Sequence, residues 1–277
     1  MRIRPSFLKT AAVTIRGCIA IVAPFLLAPR ATGRILSDCG LVVEKNKGHD
    51  IREMFDGIAG RYDLLNHLLS LGIDRRWRRK AVLCLNVKAS QRILDMASGT
   101  GDVALEIARR YPQADLIVAA DFSAGMLQRA NAKIRRAGLG QRIFPVAARC
   151  EAIPHGDGTF DGAVIAFGIR NVADRSRGLQ ELRRVLRPGG KLLVLELSTP
   201  ANPPVRVLYH FYFRKLLPWL AGFFSRREAY RYLPRSVADF PDCDQFRHLM
   251  EEAGFEIVAQ TPMTFGIVTL HAAVRKG

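Results

Sequence analysis

Apolar positions along the chain follow two patterns in succession. Ile51, Met54, Phe55 and Ile58 recur at helical spacing, and Leu64, Leu65, Leu68, Leu69 and Trp77 continue it, which predicts a helix pair from Asp50 onward. Short unbroken apolar runs then alternate with amphipathic stretches. Arg92–Ala97 ends in Ser98-Gly-Thr-Gly101 and leads into a helical Asp102–Arg110. Leu116–Ala120 ends in Asp121 and leads into a helix from Ser123, a good N-cap residue, to about Ala137. Ile143–Ala147 and Phe160–Phe167 are the third and fourth runs. A helix from about Asp174 to Leu186 stops at Arg187-Pro-Gly-Gly190, and Lys191–Leu197 is the fifth run. After an irregular insertion, Asp242–Ala253 reads as a helix, and Phe255–Gln260 and Ile267–Val274 as strands, the first fit to pair antiparallel at an edge. Strands this apolar need cover on both faces, so the alternation predicts an α/β fold with a mostly parallel sheet wound in both directions.

Composition narrows the partners. With 277 residues and 49% hydrophobic content the chain can bury a sizeable core, which excludes general disorder. Its longest apolar candidate, Cys18–Leu27, falls short of the roughly 20 residues a spanning helix needs, which argues against an integral membrane protein. Cysteines at 18, 39, 84, 150 and 243 are odd in number and form no CxxC pair, so neither a disulfide framework nor a zinc site is expected, and a reducing compartment is. A net charge of +17 predicts attraction to something anionic. Residues 1–47 differ from the rest, with eight Lys or Arg and two acids around the apolar run. They resemble an export signal or a transit peptide, or precede a true start near Leu41 or Val42, and take no part in the fold reading. Residues 48–277 form one domain with a helical lid at 50–85 and an insertion at 200–240.

In a doubly wound sheet the ligand sits beyond the carboxyl ends of the strands, where strand order reverses. That places Asp95 to Asp102 at the site. Ser98, Gly99, Thr100 and Gly101 make a loop whose backbone can approach a ligand closely before a helix N-terminus. Asp121, 22 residues after Gly99, ends the second strand where a carboxylate can accept from both hydroxyls of a ribose. Gly99-Thr-Gly101-Asp-Val-Ala104 also satisfies a dinucleotide fingerprint. An acid at 102 would repel a diphosphate, whereas Asp95 and Asp102 suit the ammonium and sulfonium of S-adenosylmethionine, which is favoured. The plainer reading of both acids is helix capping.

The residues Phe55-Asp-Gly-Ile-Ala-Gly-Arg-Tyr-Asp-Leu-Leu-Asn66, Leu69-Ser-Leu-Gly72 and Phe167-Gly-Ile-Arg-Asn-Val172 resemble the ubiquinone and menaquinone biosynthesis C-methyltransferases of the UbiE/MenG type. Arg184–Gly190, Leu195-Glu-Leu-Ser198, Tyr230–Ser236 and Thr264–Val268 extend the match over about residues 50–275. The resemblance implies a Rossmann-like class I methyltransferase: a seven-stranded, mostly parallel sheet with one antiparallel edge strand and helices on both faces. It further implies methyl transfer from S-adenosylmethionine to a ring carbon of a prenylated hydroquinone. Asp95, Ser98, Gly99, Thr100, Gly101 and Asp102 would surround the methionine part, Asp121 the ribose, and Phe122 the adenine. Two positions depart from the pattern. Arg149-Cys150 stands where relatives carry an Asp-Ala or Asn-Ala pair facing the adenine, leaving the Cys150 backbone as a contact, and Ala166 replaces a common Ser.

The chemistry asks for a proton acceptor and for alignment, because a quinol ring carbon becomes nucleophilic only as the neighbouring hydroxyl ionises. The resemblance assigns Arg170 and Asn171 to this step. A guanidinium is a poor base, so Arg170 reads as a phenolate stabiliser and a carboxylate or water as the acceptor. Asp121 belongs to the same catalytic group. His67 is a weaker candidate base. Tyr62, Asp63 and Asn66 lie on the lid, where Tyr62 and Asn66 are candidate substrate contacts. Residues 203–240 hold ten of the 23 aromatics, Tyr209, Phe211, Tyr212, Phe213, Trp219, Phe223 and Phe224 among them. Arg206, Arg214, Lys215, Arg226, Arg227, Arg231 and Arg235 are interleaved with these. That mixture suits the surface of an anionic membrane, a core contact with the sheet, or a tunnel for a prenyl tail. The expected setting is cytoplasmic, peripheral to the inner face of the membrane; no nucleic-acid partner is expected, and a homodimer is compatible. Two competing readings stand: a nucleic-acid methyltransferase, from the charge and Asn202-Pro-Pro204, and a homologue that has lost catalysis, from Arg149 and Ala166.

Overall fold

The computed structural model describes residues 51–60, 62–212, 215 and 227–277, with backbone alone at 65, 68 and 227–231. Residues 1–47, and with them the Cys18–Leu27 run, lie outside the described residues, as do Phe213, Arg214, Trp219, Phe223, Phe224 and Arg226 of the insertion.

The lid region is three helices rather than a pair: α1 at residues 51–58, α2 at Tyr62–Leu69 and α3 at Asp74–Leu85. Thereafter β1 (Arg92–Met96), α4 (Asp102–Arg110), β2 (Leu116–Asp121), α5 (Ala124–Arg136), β3 (Ile143–Ala147), β4 (Phe160–Ala166) and α6 (Arg175–Val185) follow the predicted alternation. Caps fall where side chains permit them. Ser123 accepts from the Met126 amide at the start of α5, and Asp174 from the Arg177 amide at the start of α6. The chain continues through β5 (Leu186–Leu197), α7 (Pro203–Phe211), α8 (Arg227–Ala238), α9 (Cys243–Glu252), β6 (Phe255–Met263) and β7 (Val268–Arg275). The insertion is thus partly helical. Asn202 caps α7 by accepting from the Val205 amide, with prolines in the first turn, so Asn202-Pro-Pro204 is a helix start.

The seven strands run in the order β3-β2-β1-β4-β5-β7-β6, parallel except where β7 lies antiparallel to β5 and β6. The expected antiparallel pairing at the edge is present, and β7, one in from the edge, is the strand that runs against the rest. β5 begins five residues before the expected Lys191, at Leu186. Phe160 pairs with Leu186 and Gly162 with Lys191, so the Arg187-Pro-Gly-Gly190 stretch is a bulge that the sheet absorbs, with Gly189 at φ 74°.

Period-two alternation divides the core into two layers. Ile93, Ile117, Val164, Leu193 and Leu195 face one way and pack with Ala81, Val82 and Leu85 of α3, Ile107 of α4 and Ile134 of α5. Leu94, Val118, Ala163, Ile165, Leu192 and Val194 face the other, against Leu179 and Leu182 of α6 and Phe246 and Met250 of α9. Trp77 ties the lid region to the C-terminal hairpin, its Nε1–H donating to Thr264 Oγ1 at 2.8 Å and its ring 6.0 Å from that of Phe167.

Close approach between the ends of β1 and β4 demands glycine at 168. A Cβ there would stand 2.4 Å from Ala97 Cβ. Gly168→Ala is therefore expected to cost about 1–3 kcal/mol in urea unfolding, as overpacked cores do. Gly140→Ala, with nothing within 4 Å of its Cβ, should stay within about 0.5 kcal/mol of wild type.

Candidate active site

Strand order reverses between β1 and β4, and the crevice opens there beyond their carboxyl ends. Ala97 and Gly99, at φ 54° and 55°, turn the chain out of β1, and Gly101, at φ 83°, caps α4. A side chain at 101 would press on Ala130 of α5, 3.2 Å away, so this turn packs as well as bends.

Two buried carboxylates shape the loop. Asp121 accepts from the Gly99 amide at 2.8 Å and the Ser123 amide at 2.9 Å, joining the glycine loop, β2 and the start of α5. Burial pushes its carboxyl above the usual range, and the amide hydrogen bonds only partly offset that. Asp95 Oδ2 accepts from the Ala104 amide at 2.9 Å, while Oδ1, although buried, has no hydrogen-bond partner among the described residues. Its desolvation, opposed by the Ala104 bond and reinforced by the charge of Asp121, pushes the carboxyl up to about 8. Ser98 Oγ is likewise buried and unpartnered.

A cavity of about 410 Å³ adjoins this loop, lined by Met96, Ala97, Phe122, Arg149, Cys150, Gly168 and Asn171 among others. Phe122, Arg149, Cys150 and Asn171 thus meet as expected. The Arg149 side chain is 61% exposed and leans to Glu151 at 3.4 Å. Cys150 packs its side chain into the core beside Gly178, and burial raises its thiol, leaving the backbone as its usable face.

Asp102 is placed differently from the expectation. Its carboxylate is held by Lys133 Nζ at 2.6 Å and Arg78 Nη1 at 2.9 Å, facing a separate cleft, so it is committed to protein cations. His67 is also diverted: Nδ1 lies 3.0 Å from Asp74 and Nε2 meets Arg75, which joins α2 to α3 and leaves no free nitrogen for base work.

The lid is docked over the loop by side chains. Asp63 accepts from Thr100 Oγ1 at 2.5 Å and pairs with Lys133 at 2.6 Å. Burial would raise the Asp63 carboxyl, but the Lys133 and Thr100 hydrogen bonds hold it below the ordinary range. Asp56 accepts from Ser123 Oγ at 2.5 Å and the Gly125 amide at 2.9 Å. The Phe55 ring meets those of Tyr62 and Phe122 edge-on at about 6 Å. Tyr62 covers Gly99, its ring 3.8 Å from where a Cβ on that glycine would stand. Asn66 sits half-buried one turn further along α2, its carbonyl accepting from Ser70.

Past β4, Arg170 Nη1 donates to Glu196 Oε1 at 2.6 Å and to the Phe167 carbonyl at 2.7 Å, and its amide donates to Glu196 Oε2 at 3.3 Å. Both side chains are buried, 8% and 1% exposed. Burial alone would lower the guanidinium pKa, but Glu196 outweighs it and raises it further. Tyr232 of α8 donates to Asn171 Oδ1 at 2.9 Å, and burial raises its phenol. Glu196, Tyr232, Asp56 and Lys133 had no assigned role in the sequence reading. Glu196 left a signal there, since an acid inside the apolar run of β5 needs a buried partner.

A reversed-order α/β sheet with a glycine loop after β1 and an acid ending β2 is the architecture of Rossmann-like methyltransferases. Solved structures agree in fold: the cyclase SpnF (TM-score 0.57, 18% identity, 73% of this chain and 80% of that one) and a SAM-dependent methyltransferase from Aquifex aeolicus (TM-score 0.53, 16% identity, 71% and 88%). Within that class the chain belongs to the ubiE/COQ5 methyltransferase family, whose pattern matches residues 42–275. It is 52% identical over 225 residues to the ubiquinone/menaquinone biosynthesis C-methyltransferase UbiE of Geobacter sulfurreducens, covering 81% of this chain and 88% of that protein. It is 47% identical over 223 residues to the demethylmenaquinone methyltransferase of Thermus thermophilus, covering 80% and 100%.

The Asp95 environment gives a signed pH dependence. Its folded pKa, about 8, lies above the ordinary aspartate value of 3.8, so the stability it confers is full below about 4 and is lost as pH rises toward 8. Urea midpoints of ligand-free wild type, measured against Asp95→Asn, should fall steadily across pH 5–8 and level above; a constant gap between the two would contradict this.

Proposed function

We propose that the chain transfers the methyl group of S-adenosylmethionine to a ring carbon of a prenylated hydroquinone, either demethylmenaquinol or a 2-polyprenyl-6-methoxy-benzoquinol. The observation that carries this is the pairing of a nucleotide-type crevice with a buried Arg170–Glu196 and Asn171–Tyr232 cluster directly past β4, in a chain that shares about half its residues with quinone C-methyltransferases.

The residues present suit that cofactor. Asp121 Oδ2 accepts from the Gly99 amide and Oδ1 from the Ser123 amide, and the carboxylate has acceptor capacity left for a ribose hydroxyl. The unpartnered Asp95 Oδ1 and Ser98 Oγ are buried polar atoms that a ligand ammonium and carboxylate could satisfy. Phe122, Arg149 and the Cys150 backbone border the cavity meant for the adenine. The adenine-facing side chain lost at 149 and the hydroxyl lost at Ala166 would each weaken binding by about 0.5–1.5 kcal/mol, which does not abolish it. When bound, S-adenosylmethionine supplies an electrophilic methyl group on a positively charged sulfur.

The chain's own residues hold the quinol. Glu196 neutralises Arg170, so the guanidinium acts as an oriented donor more than as a net cation. Because Asn171 Oδ1 accepts from Tyr232, its Nδ2 hydrogens are left for a substrate oxygen. Arg170 and Asn171 together stabilise the phenolate through oriented hydrogen bonds. Neither is a base, and both Glu196 oxygens already accept hydrogen bonds, so the proton passes to water. Tyr62 and the docked lid shield the reacting atoms.

Exposed apolar residues near the lid support a membrane-surface setting. Val207, Leu208 and Phe211 of α7 are 70%, 67% and 56% exposed, and Leu64 and Leu71 are 63% and 84% exposed. Tyr212 at the end of α7 donates to the Leu69 carbonyl, tying α7 to the end of α2. Tyr209, by contrast, is buried, and Phe240 packs on Phe246, so the insertion aromatics divide between core and surface. Among the described residues no helix is long and apolar enough to cross a membrane.

Expression in a strain lacking its own quinone C-methyltransferase tests the reading: wild type restores methylated quinones in the mass spectrum, and Arg170→Ala leaves the demethylated forms accumulating. In purified protein, Tyr232→Phe should lower kcat several-fold by freeing the Asn171 amide to rotate. Demethylated quinone persisting beside well-folded wild type would refute the proposal.

A further inference from the structure

A second cleft, of about 570 Å³, lies between α3, α4 and α5, and no step of the methyl transfer uses it. Its wall carries Arg75, Arg78, Arg79, Arg109, Lys133 and Arg136 against two carboxylates, Asp102 and Glu106. Arg78 and Lys133 are engaged by Asp74, Asp63 and Asp102, and Arg79 reaches Glu106 at 3.4 Å. Among the described residues Arg75 meets the His67 ring and no carboxylate, and Arg109 and Arg136 have no ion-pair partner. Arginines near helix C-termini can serve the helix dipole, but a dipole needs no concavity and no cluster of mutually repelling guanidinium groups. Planar forks converging on one hollow match the oxygens of a phosphate.

We propose that this cleft binds the phosphate of an acidic lipid headgroup, a reading that rests on the membrane-surface setting proposed above. The α2–α3 segment argues for a lipid source over free phosphate. Leu64 and Leu71, both highly exposed, lie on it together with His67 and Arg75 of the cleft wall. Apolar side chains facing the acyl region and arginines facing the headgroups would then engage one leaflet together. Lys133 and Asp102 belong both to the cleft and to the lid clamp, so a headgroup here sits one ion pair from Thr100.

The test is flotation of the full chain with vesicles of phosphatidylcholine alone or with phosphatidylglycerol, for wild type and Arg109→Glu/Arg136→Glu. These two exposed positions lie outside the methyl-transfer site. Wild type should partition onto the phosphatidylglycerol vesicles, and the double variant at least about tenfold less, while both methylate a short-tailed quinol in solution at the same rate. Inorganic phosphate should compete with the vesicles more than chloride does at equal ionic strength. Equal partitioning of wild type and variant overturns the cleft assignment and leaves the membrane reading standing. No preference for phosphatidylglycerol by wild type also overturns the assignment, and no binding to either vesicle removes the membrane reading with it. Tight RNA binding through Arg109 and Arg136 in place of vesicle binding would overturn the lipid source.

Discussion

The carboxylate of Asp121 holds the site together. By accepting from the Gly99 and Ser123 amides it joins a loop leaving β1 to the helix that follows β2, two segments separate in the chain. Ser123 then carries the connection outward, since its hydroxyl both caps α5 and donates to Asp56 of α1. One buried acid therefore sets the loop conformation, the helix start and the seat of the lid. A carboxylate at 4% exposure is costly to desolvate, and its raised pKa records that cost. The arrangement makes sense where the remaining lone pairs have work to do with a ligand's hydroxyls.

The same logic runs through the other charges. Those nearest the crevice are compensated inside the protein: Arg170 by Glu196, Lys133 by Asp63 and Asp102, Arg78 by Asp74 and Asp102. Where such a pair is buried, as Arg170–Glu196 is, breaking one partner strands the other. Compensation also shapes the chemistry, because a neutralised Arg170 directs hydrogen bonds without drawing anions at large. The uncompensated cations lie elsewhere, in the cleft behind α3 and on exposed helix ends, where a +17 chain meets its anionic surroundings.

Strand identities were legible because each run of four or five apolar residues fits a sheet covered on both faces. The crevice was located by the strand–helix alternation and the glycine loop, and Asp121 by its spacing after that loop. Helix caps at Ser123 and Asp174 were legible for the same local reason. The partners of Asp102 were not legible because an acid at the head of a helix has no azimuth in the sequence; Arg78 and Lys133, which hold it, are 24 and 31 residues away. The extent of β5 was hidden by Pro188 and two glycines, which ordinarily end strands but here form a bulge. Tyr232 could not be assigned a role, since only the fold brings α8 to Asn171. Glu196 could have been flagged by its apolar neighbours, and the plainest reading of His67, a structural one, agrees with its 3.0 Å contact to Asp74.

The most direct test of the central claim is calorimetric titration of S-adenosylhomocysteine into wild type and Asp121→Asn, with thermal melts to confirm that both are folded. The account predicts saturable binding by wild type and a loss of at least about tenfold in the variant, from one weakened charge-assisted hydrogen bond or more. Equal affinities in two folded proteins would contradict it.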